Sequence, residues 1–246
     1  MAVVNRESGQ VTGGNAPQAA EQFIIGPYAP VVEADGKGMS WTNLEVQDAP
    51  AAFPRLGTGA HRVFSSRDEA SGLSLRYHVQ MQESLPVGLL WCNLVNESPR
   101  AVKVSRINLL HCTPGGVALA SEGRLRVFLD TGGLMGSGTH DVRVPKASHA
   151  AHGAFVLAQP DGNWATSLSF ATFETAAVTT SMPTDDGCAP QQFEAICDYP
   201  NGYVLQPGAT LQSEVFSVGT YSGGNEALTA WADTVMAVNE LDPPRH

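Results

Sequence analysis

Six carboxylates stand where strand-like segments begin, turn or end and could face a ligand: Asp130, Asp141, Glu174, Glu194, Asp198 and Glu214. Hydrolysis of a glycoside needs two such groups facing each other across a pocket, one as acid and one as nucleophile or base. Their spacing singles out no pair, and each also suits a solvated strand end or turn. Glu214 differs because TLQSEVFSVG sets it beside Val215, Phe216 and Val218, so an inward carboxylate there requires its own hydrogen-bond donors. His78 and His111 lie in strand-like segments, and one imidazole with one Glu is the minimum for acid/base proton transfer on a sugar. His140, His149 and His152 lie close in sequence without a carboxylate or thiol at metal-ligand spacing, so they read as loop histidines and no metal or other cofactor is implied.

Residues 131–140, TGGLMGSGTH, carry four glycines after the strand-like RLRVFLD. The segment lacks the Lys of a phosphate-binding loop and reads as a long hairpin tip, a place where interaction residues concentrate. Gly133, Met135 and Ser137 are its candidate carbohydrate contacts, and catalytic residues are not assigned. Trp41 and Trp164 are candidate stacking platforms for a sugar if their rings are exposed, whereas Trp91 and Trp231 fall on core-like stripes.

The elements that must position these groups are strands. From about Glu21 to Gly219, short β-branched, aromatic and aliphatic runs alternate with Gly, Pro, Asn and Asp. In GLSLRYHVQMQ, Leu73, Leu75, Tyr77, Val79 and Met81 share one face, with Ser74, Arg76, His78 and Gln80 on the other. VGLLWCNLVNESP is apolar on both faces, as an inner strand is, and AVKVSRINLLHC is expected to return as its hairpin partner. There the step from Val102 and Val104 to Ile107 and Leu109 predicts a β-bulge near Ser105 and Arg106. Pro160-Asp161-Gly162-Asn163 is a turn between two later strands. A dozen strands or more predict an all-β, large two-sheet antiparallel β-sandwich, with residues 21–222 as the sandwich and residues 1–20 lacking order. Residues 223–246 form one C-terminal α-helix with Asn225 as N-cap and Leu228, Trp231, Ala232, Val235 and Val238 on its buried stripe. Pro243 and Pro244 then direct the chain toward a missing or separate domain.

Composition narrows the partners. The 246 residues carry 14 Lys and Arg against 24 Asp and Glu, a net charge of −10 that repels nucleic acid and anionic lipid headgroups. No signal-peptide pattern opens the chain and no apolar run has membrane-spanning length, which gives a cytoplasmic expectation. Cys92 and Cys112 read as buried free thiols, and pairing of Cys188 with Cys197 stays open.

Taken in order, GLLWCNLVNESPRAVKVSRINLL, RVFLDTGGLMGSGT, YVLQPGATLQSEVFSVG and the helix EALTAWADTVMAV resemble the N-terminal β-supersandwich domain of melibiase-type α-galactosidases, glycoside hydrolase family thirty-six with its raffinose-synthase relatives. The resemblance implies a non-catalytic accessory domain in carbohydrate metabolism that packs on a catalytic (β/α)8 barrel or a homo-oligomer partner, the barrel carrying both catalytic aspartates. It also implies apolar surface on the helix and on one sandwich face. In the family, the loop matching residues 131–139 bears a tryptophan that walls the sugar site, where this chain has Gly132, Gly133, Leu134, Met135 and Gly136. Two other readings are carried forward: a free-standing module binding an oligosaccharide, and a mutarotase-like enzyme using His78 or His111 with a Glu.

Overall fold

A computed structural model of the chain describes residues 2–4, 11–14, 23–41, 44–83, 85–112, 117–119, 125–131, 137–159 and 164–242. In chain order the strands are β1 (Ala2–Val4), β2 (Val11–Gly14), β3 (Phe23–Ala34), β4 (Lys37–Ser40), β5 (Glu45–Ala49), β6 (Gly59–Asp68), β7 (Leu73–Gln82), β8 (Val87–Asn96), β9 (Val102–Cys112) and β10 (Val117–Leu119). They continue as β11 (Arg126–Asp130), β12 (Ser137–Asp141), β13 (Ser148–Ala151), β14 (Phe155–Ala158), β15 (Ala165–Phe170), β16 (Ala177–Pro183), β17 (Phe193–Leu205), β18 (Thr210–Gln212) and β19 (Phe216–Tyr221). A short 3-10 turn at Pro54–Leu56 and one helix, α1 (Gly224–Val238), complete them.

The strands form two antiparallel sheets. Sheet A runs β1-β2-β3-β9-β17-β16-β13, with β4 and β10 also on β3. Sheet B runs β12-β11-β14-β15-β19-β8-β7-β6-β5, with β18 also on β8. Their inner faces bury one core, to which sheet B contributes Leu73, Leu75, Tyr77, Leu90, Cys92 and Leu94 and sheet A contributes Val104, Ile107, Leu109 and Phe193. The Tyr77 hydroxyl crosses it to donate to the Leu109 carbonyl at 3.2 Å. The two-sheet, all-β sandwich with a single C-terminal helix is therefore the observed architecture.

β8 is an inner strand, as its two-sided apolarity predicts, with Leu90, Cys92 and Leu94 in the inter-sheet core. Its outward Val87, Leu89 and Trp91 need cover, and a second cluster supplies it: Leu56 with Phe53 from the turn, and Ala227, Leu228, Val235 and Val238 from α1. β9 does not return on β8. It crosses to sheet A and pairs with β3 and β17, because a strand apolar enough to be buried on both faces is already flanked by β7 on one side and by β18 and β19 on the other. The predicted bulge lies at Ser105: Arg106 faces Glu33 and Val104 faces Ala34, leaving Ser105 as the extra residue.

Three local expectations are corrected. On β7 the alternation inverts at its end, where Gln80 and Gln82 are buried and Met81 is exposed. The outward Gln80 is covered by the 50–56 segment, its Oε1 accepting the Ala52 N–H at 2.8 Å. The α1 N-cap is Gly223 rather than Asn225, and Glu226 accepts from the Ser222 N–H and hydroxyl, tying down the first turn. The helix buries Ala227, Thr234 and Val238, while Ala232 faces solvent. Of residues 1–20 only β1 and β2 are described; they pair with each other and β2 pairs with β3. The Pro160 to Asn163 turn lies outside the described residues, but its flanking strands β14 and β15 pair antiparallel as expected.

All four cysteines are free, Cys92, Cys112 and Cys197 buried and Cys188 half-buried. Burial pushes the Cys92 thiol up to about 12 and the Cys197 thiol well above its ordinary value. Titration of the native protein with a thiol-specific chromogenic reagent should show one fast equivalent, lost in Cys188→Ser, and three more only on unfolding. Fast reaction of a second thiol in the native state would contradict the burial described.

Candidate functional site

The two tryptophans proposed as stacking platforms are walls of the inter-sheet core. Trp41 is 2% and Trp164 6% exposed, so neither offers a ring face to a ligand in solvent. Each ring lies just outside a strand, Trp41 after β4 and Trp164 before β15, where strand alternation does not say which way a side chain points. Gly133 and Met135 lie outside the described residues. Ser137 is exposed at the start of β12, opposite Asp130 of β11, and its hydroxyl donates to Asp130 Oδ1 at 3.2 Å. Strands β11 and β12 make the hairpin that the glycine-rich segment was expected to close.

The structure does bring His111 to a glutamate. On β9 and β17, His111 and Glu194 are register partners, and the His111 Nδ1–H donates to Glu194 Oε1 at 3.0 Å. Asn108 Nδ2 donates to the same oxygen at 2.9 Å, and Gln192 Nε2 donates to Oε2 at 3.2 Å. Next along the face, the Arg106 Nε–H donates to Asp198 Oδ1 at 2.7 Å. A sugar acid/base couple must reach the substrate from two sides, whereas here the imidazole and carboxylate are spent on each other. Glu194 orients His111; the pair lacks the separation that a two-sided proton transfer requires.

His78 sits instead in a chain of imidazoles on the outer face of sheet B. Pro50 O only accepts, so His61 Nδ1 carries its proton and its Nε2 accepts from the His78 Nδ1–H at 3.0 Å. His78 Nε2 then accepts from Asn93 Nδ2 at 3.3 Å. The His78 ring stacks on Trp91, 4.6 Å between centroids and 11° from parallel. Burial, the neighbouring His61 and Arg76 lower its pKa from 6.5 to about 4, in agreement with an all-neutral chain. The chain anchors the segment that presents Phe53, whose ring packs edge-on against Trp91 at 5.2 Å. His149 and His152 each bind a main-chain carbonyl, of Val142 and Val178.

Glu214 has the donors that its apolar setting demands. It is 2% exposed and accepts from the Thr172 hydroxyl at 2.5 Å, the Thr175 N–H at 2.6 Å, the Thr175 hydroxyl at 2.9 Å and the Ala176 N–H at 3.0 Å. Burial alone would raise its pKa, but the Thr172 hydroxyl and the N–H groups of Thr175, Glu174 and Ala176 outweigh it and hold the carboxyl below its ordinary value. The interaction pins the 172–176 loop to the strand end before β19. Beside it opens a cavity of about 420 Å³ lined by Phe53, Glu174, Thr175, Tyr203, Thr210, Gln212, Glu214 and Val238 among others. Sequence reading found Glu214 through its apolar neighbours; Phe53, Tyr203, Thr210 and Gln212 left no signal, because only the fold brings them to one place.

No family model matches the sequence, and no curated protein matches it. Solved structures do match. The galactosidase domain of the α-galactosidase-sucrose kinase AgaSK aligns over 82% of this chain and 31% of its own, with TM-score 0.59 and 11% identity. The GH36 α-galactosidase AgaB from Geobacillus stearothermophilus aligns over 83% of this chain and 31% of its own, with TM-score 0.55 and 13% identity. The chain thus spans about a third of these α-galactosidases and has the fold of that part of them. The Slr1438 protein from Synechocystis aligns over 89% of this chain and 99% of its own, with TM-score 0.50 and 10% identity. The same fold therefore also makes up a nearly whole chain.

Two stability predictions follow from the buried groups. Glu214→Ala leaves several donors unpaired and should cost about 3 kcal/mol by denaturant unfolding, with Glu214→Gln recovering part of it. His78 has a lowered folded pKa, so the unfolded state binds more protons between pH 6.5 and about 4, and stability should fall as pH drops through that window. The slope from this one group is at most about 1.4 kcal/mol per pH unit, and His78→Gln should flatten it. Glu214 should add a further loss at lower pH, as pH falls from 4.5 through its depressed folded pKa.

Proposed function

We propose that this chain is the non-catalytic β-sandwich domain of an α-galactosidase-like glycoside hydrolase, packing on a catalytic (β/α)8 barrel or on a neighbouring subunit. The observation that carries the reading is its fold likeness, over more than four fifths of the chain, to about a third of larger α-galactosidases. The use of the carboxylates supports it. Glu214 is occupied in pinning a loop, Glu194 takes three side-chain donors and Asp198 binds Arg106. Four free cysteines suit a reducing, cytoplasmic setting, and no described helix is long and apolar enough to cross a membrane.

The docking face differs from expectation. The outward residues of α1 are polar or small, such as Glu226, Thr229, Ala232 and Asp233. Among the described residues, the large exposed apolar side chains include Phe173 at 47% in the loop before β16, Tyr203 at 39% and Val204 at 54% near the end of β17, and Leu241 at 53% just past the helix. Contact with a barrel or subunit would bury some of these.

A second reading, a free-standing module, draws support from the Synechocystis chain, in which this fold spans nearly everything. An assay separates catalysis from both. The purified chain should release no chromophore from an aryl α-galactoside above the buffer rate. Turnover that co-purifies with the chain and disappears in Asp130→Asn or Glu174→Gln would overturn the accessory assignment.

A further inference from the structure

We infer that the cavity beside Glu214 is a binding site for a neutral saccharide, built within this domain and independent of any barrel. Three features lead there. Its volume, about 420 Å³, lies within the range of small-molecule sites. Its wall joins elements far apart in sequence: Phe53 from the turn segment, Glu174 and Thr175 from the pinned loop, Tyr203 from β17, Thr210 and Gln212 from β18, and Val238 from α1. Its rim combines an open aromatic ring with polar groups that the fold does not use. Tyr203 is 39% exposed. The side chains of Glu174, Thr210 and Gln212 are exposed and have no partner among the described residues.

The chemistry of that rim selects its ligand. A pyranose presents a C–H face that packs on an aromatic ring and equatorial hydroxyls that both donate and accept. Tyr203 and Phe53 supply the apolar surface, Glu174 accepts from a pair of hydroxyls, and Thr210 and the Gln212 amide donate and accept at the edge. Among the described residues no Lys, Arg or His lines the cavity, while Glu174 and Glu214 do, so phosphates and other anions are repelled. An ammonium ligand would use the carboxylate and the rings but leave the amide and hydroxyl donors unmatched.

The wall is held in advance of binding. Glu214 accepts four hydrogen bonds from residues 172–176 and so fixes the loop that carries Glu174. The His61 and Pro50 contact and the edge-on packing on Trp91 fix Phe53. Tyr203 is set by the long bulge of β17, where four residues, Tyr199 to Gly202, intervene between the register partners of Arg106 and Val104. Gly202 takes φ +70 there, and a Cβ would strike the Lys103 side chain.

The test uses the whole chain, isotopically labelled, titrated with melibiose, cellobiose and maltotriose to about 20 mM, with choline chloride as a separate probe. At least one saccharide should shift the amide resonances of residues 174, 203, 210 and 212 with a Kd of order 1 mM. Tyr203→Ala and Glu174→Gln, both at exposed positions and each confirmed folded by its spectrum, should weaken that binding about fivefold or more. Absence of shifts with all three sugars overturns the assignment. So do shifts confined to other residues, binding that both variants leave unchanged, or shifts from choline in place of the sugars. The proposed accessory role is tested by hydrolysis and not by sugar binding, so the two can fail separately.

Discussion

The middle of sheet B is buried on both faces, and much of the molecule is arranged around that constraint. β8 sends Leu90, Cys92 and Leu94 into the inter-sheet core and Val87, Leu89 and Trp91 the other way. Each large side chain left in water would forgo about 1.5–3 kcal/mol, so an uncovered outer face would be costly. α1 and the 50–56 segment provide the cover from opposite ends of the sequence, joined where Arg55 donates to the Leu241 carbonyl at 3.1 Å. A sandwich alone has two layers; here the helix and the 50–56 segment add a third over part of sheet B.

Covering a sheet with a loop and a helix brings polar groups into a dry region, and several of them are given partners there. The 50–56 segment is tied down by the neutral chain from Asn93 through His78 and His61 to Pro50 and by the Gln80 contact to Ala52. At the far side of the helix, the Trp231 indole N–H donates to the Phe170 carbonyl at 2.8 Å, and the Asn239 amide donates to the Ala171 carbonyl at 2.7 Å. Glu214 then holds the following loop as an ionised carboxylate among donors. These three anchors leave an opening between them, lined by Phe53, Glu174 and Val238, and that opening is the cavity. Site and scaffold thus share the same interactions.

Much of the fold was legible because strand periodicity and two-sided apolarity are local. The inner strand β8, the bulge at Ser105, the hairpin of β11 and β12 and the terminal helix all follow from patterns within a few residues. Pairing was less legible: nothing local to AVKVSRINLLHC says that it crosses to the other sheet, since that depends on which neighbours β8 already has. Exposure failed where tertiary cover decides it. Trp41 and Trp164 are in the core, while Gln80 is buried and Met81 exposed, against the alternation of β7. For the site, Glu214 and the meeting of His111 with a Glu were readable as chemical requirements, but the rim of Tyr203, Thr210 and Gln212 arises from contacts between distant segments.

The proposed accessory role in a larger glycosidase is tested most directly by the nucleotide sequence of the source transcript downstream of the codon for His246. It predicts an open frame running on into a barrel-forming segment that carries a pair of catalytic carboxylates. A stop codon immediately after His246 would contradict a barrel carried on the same chain.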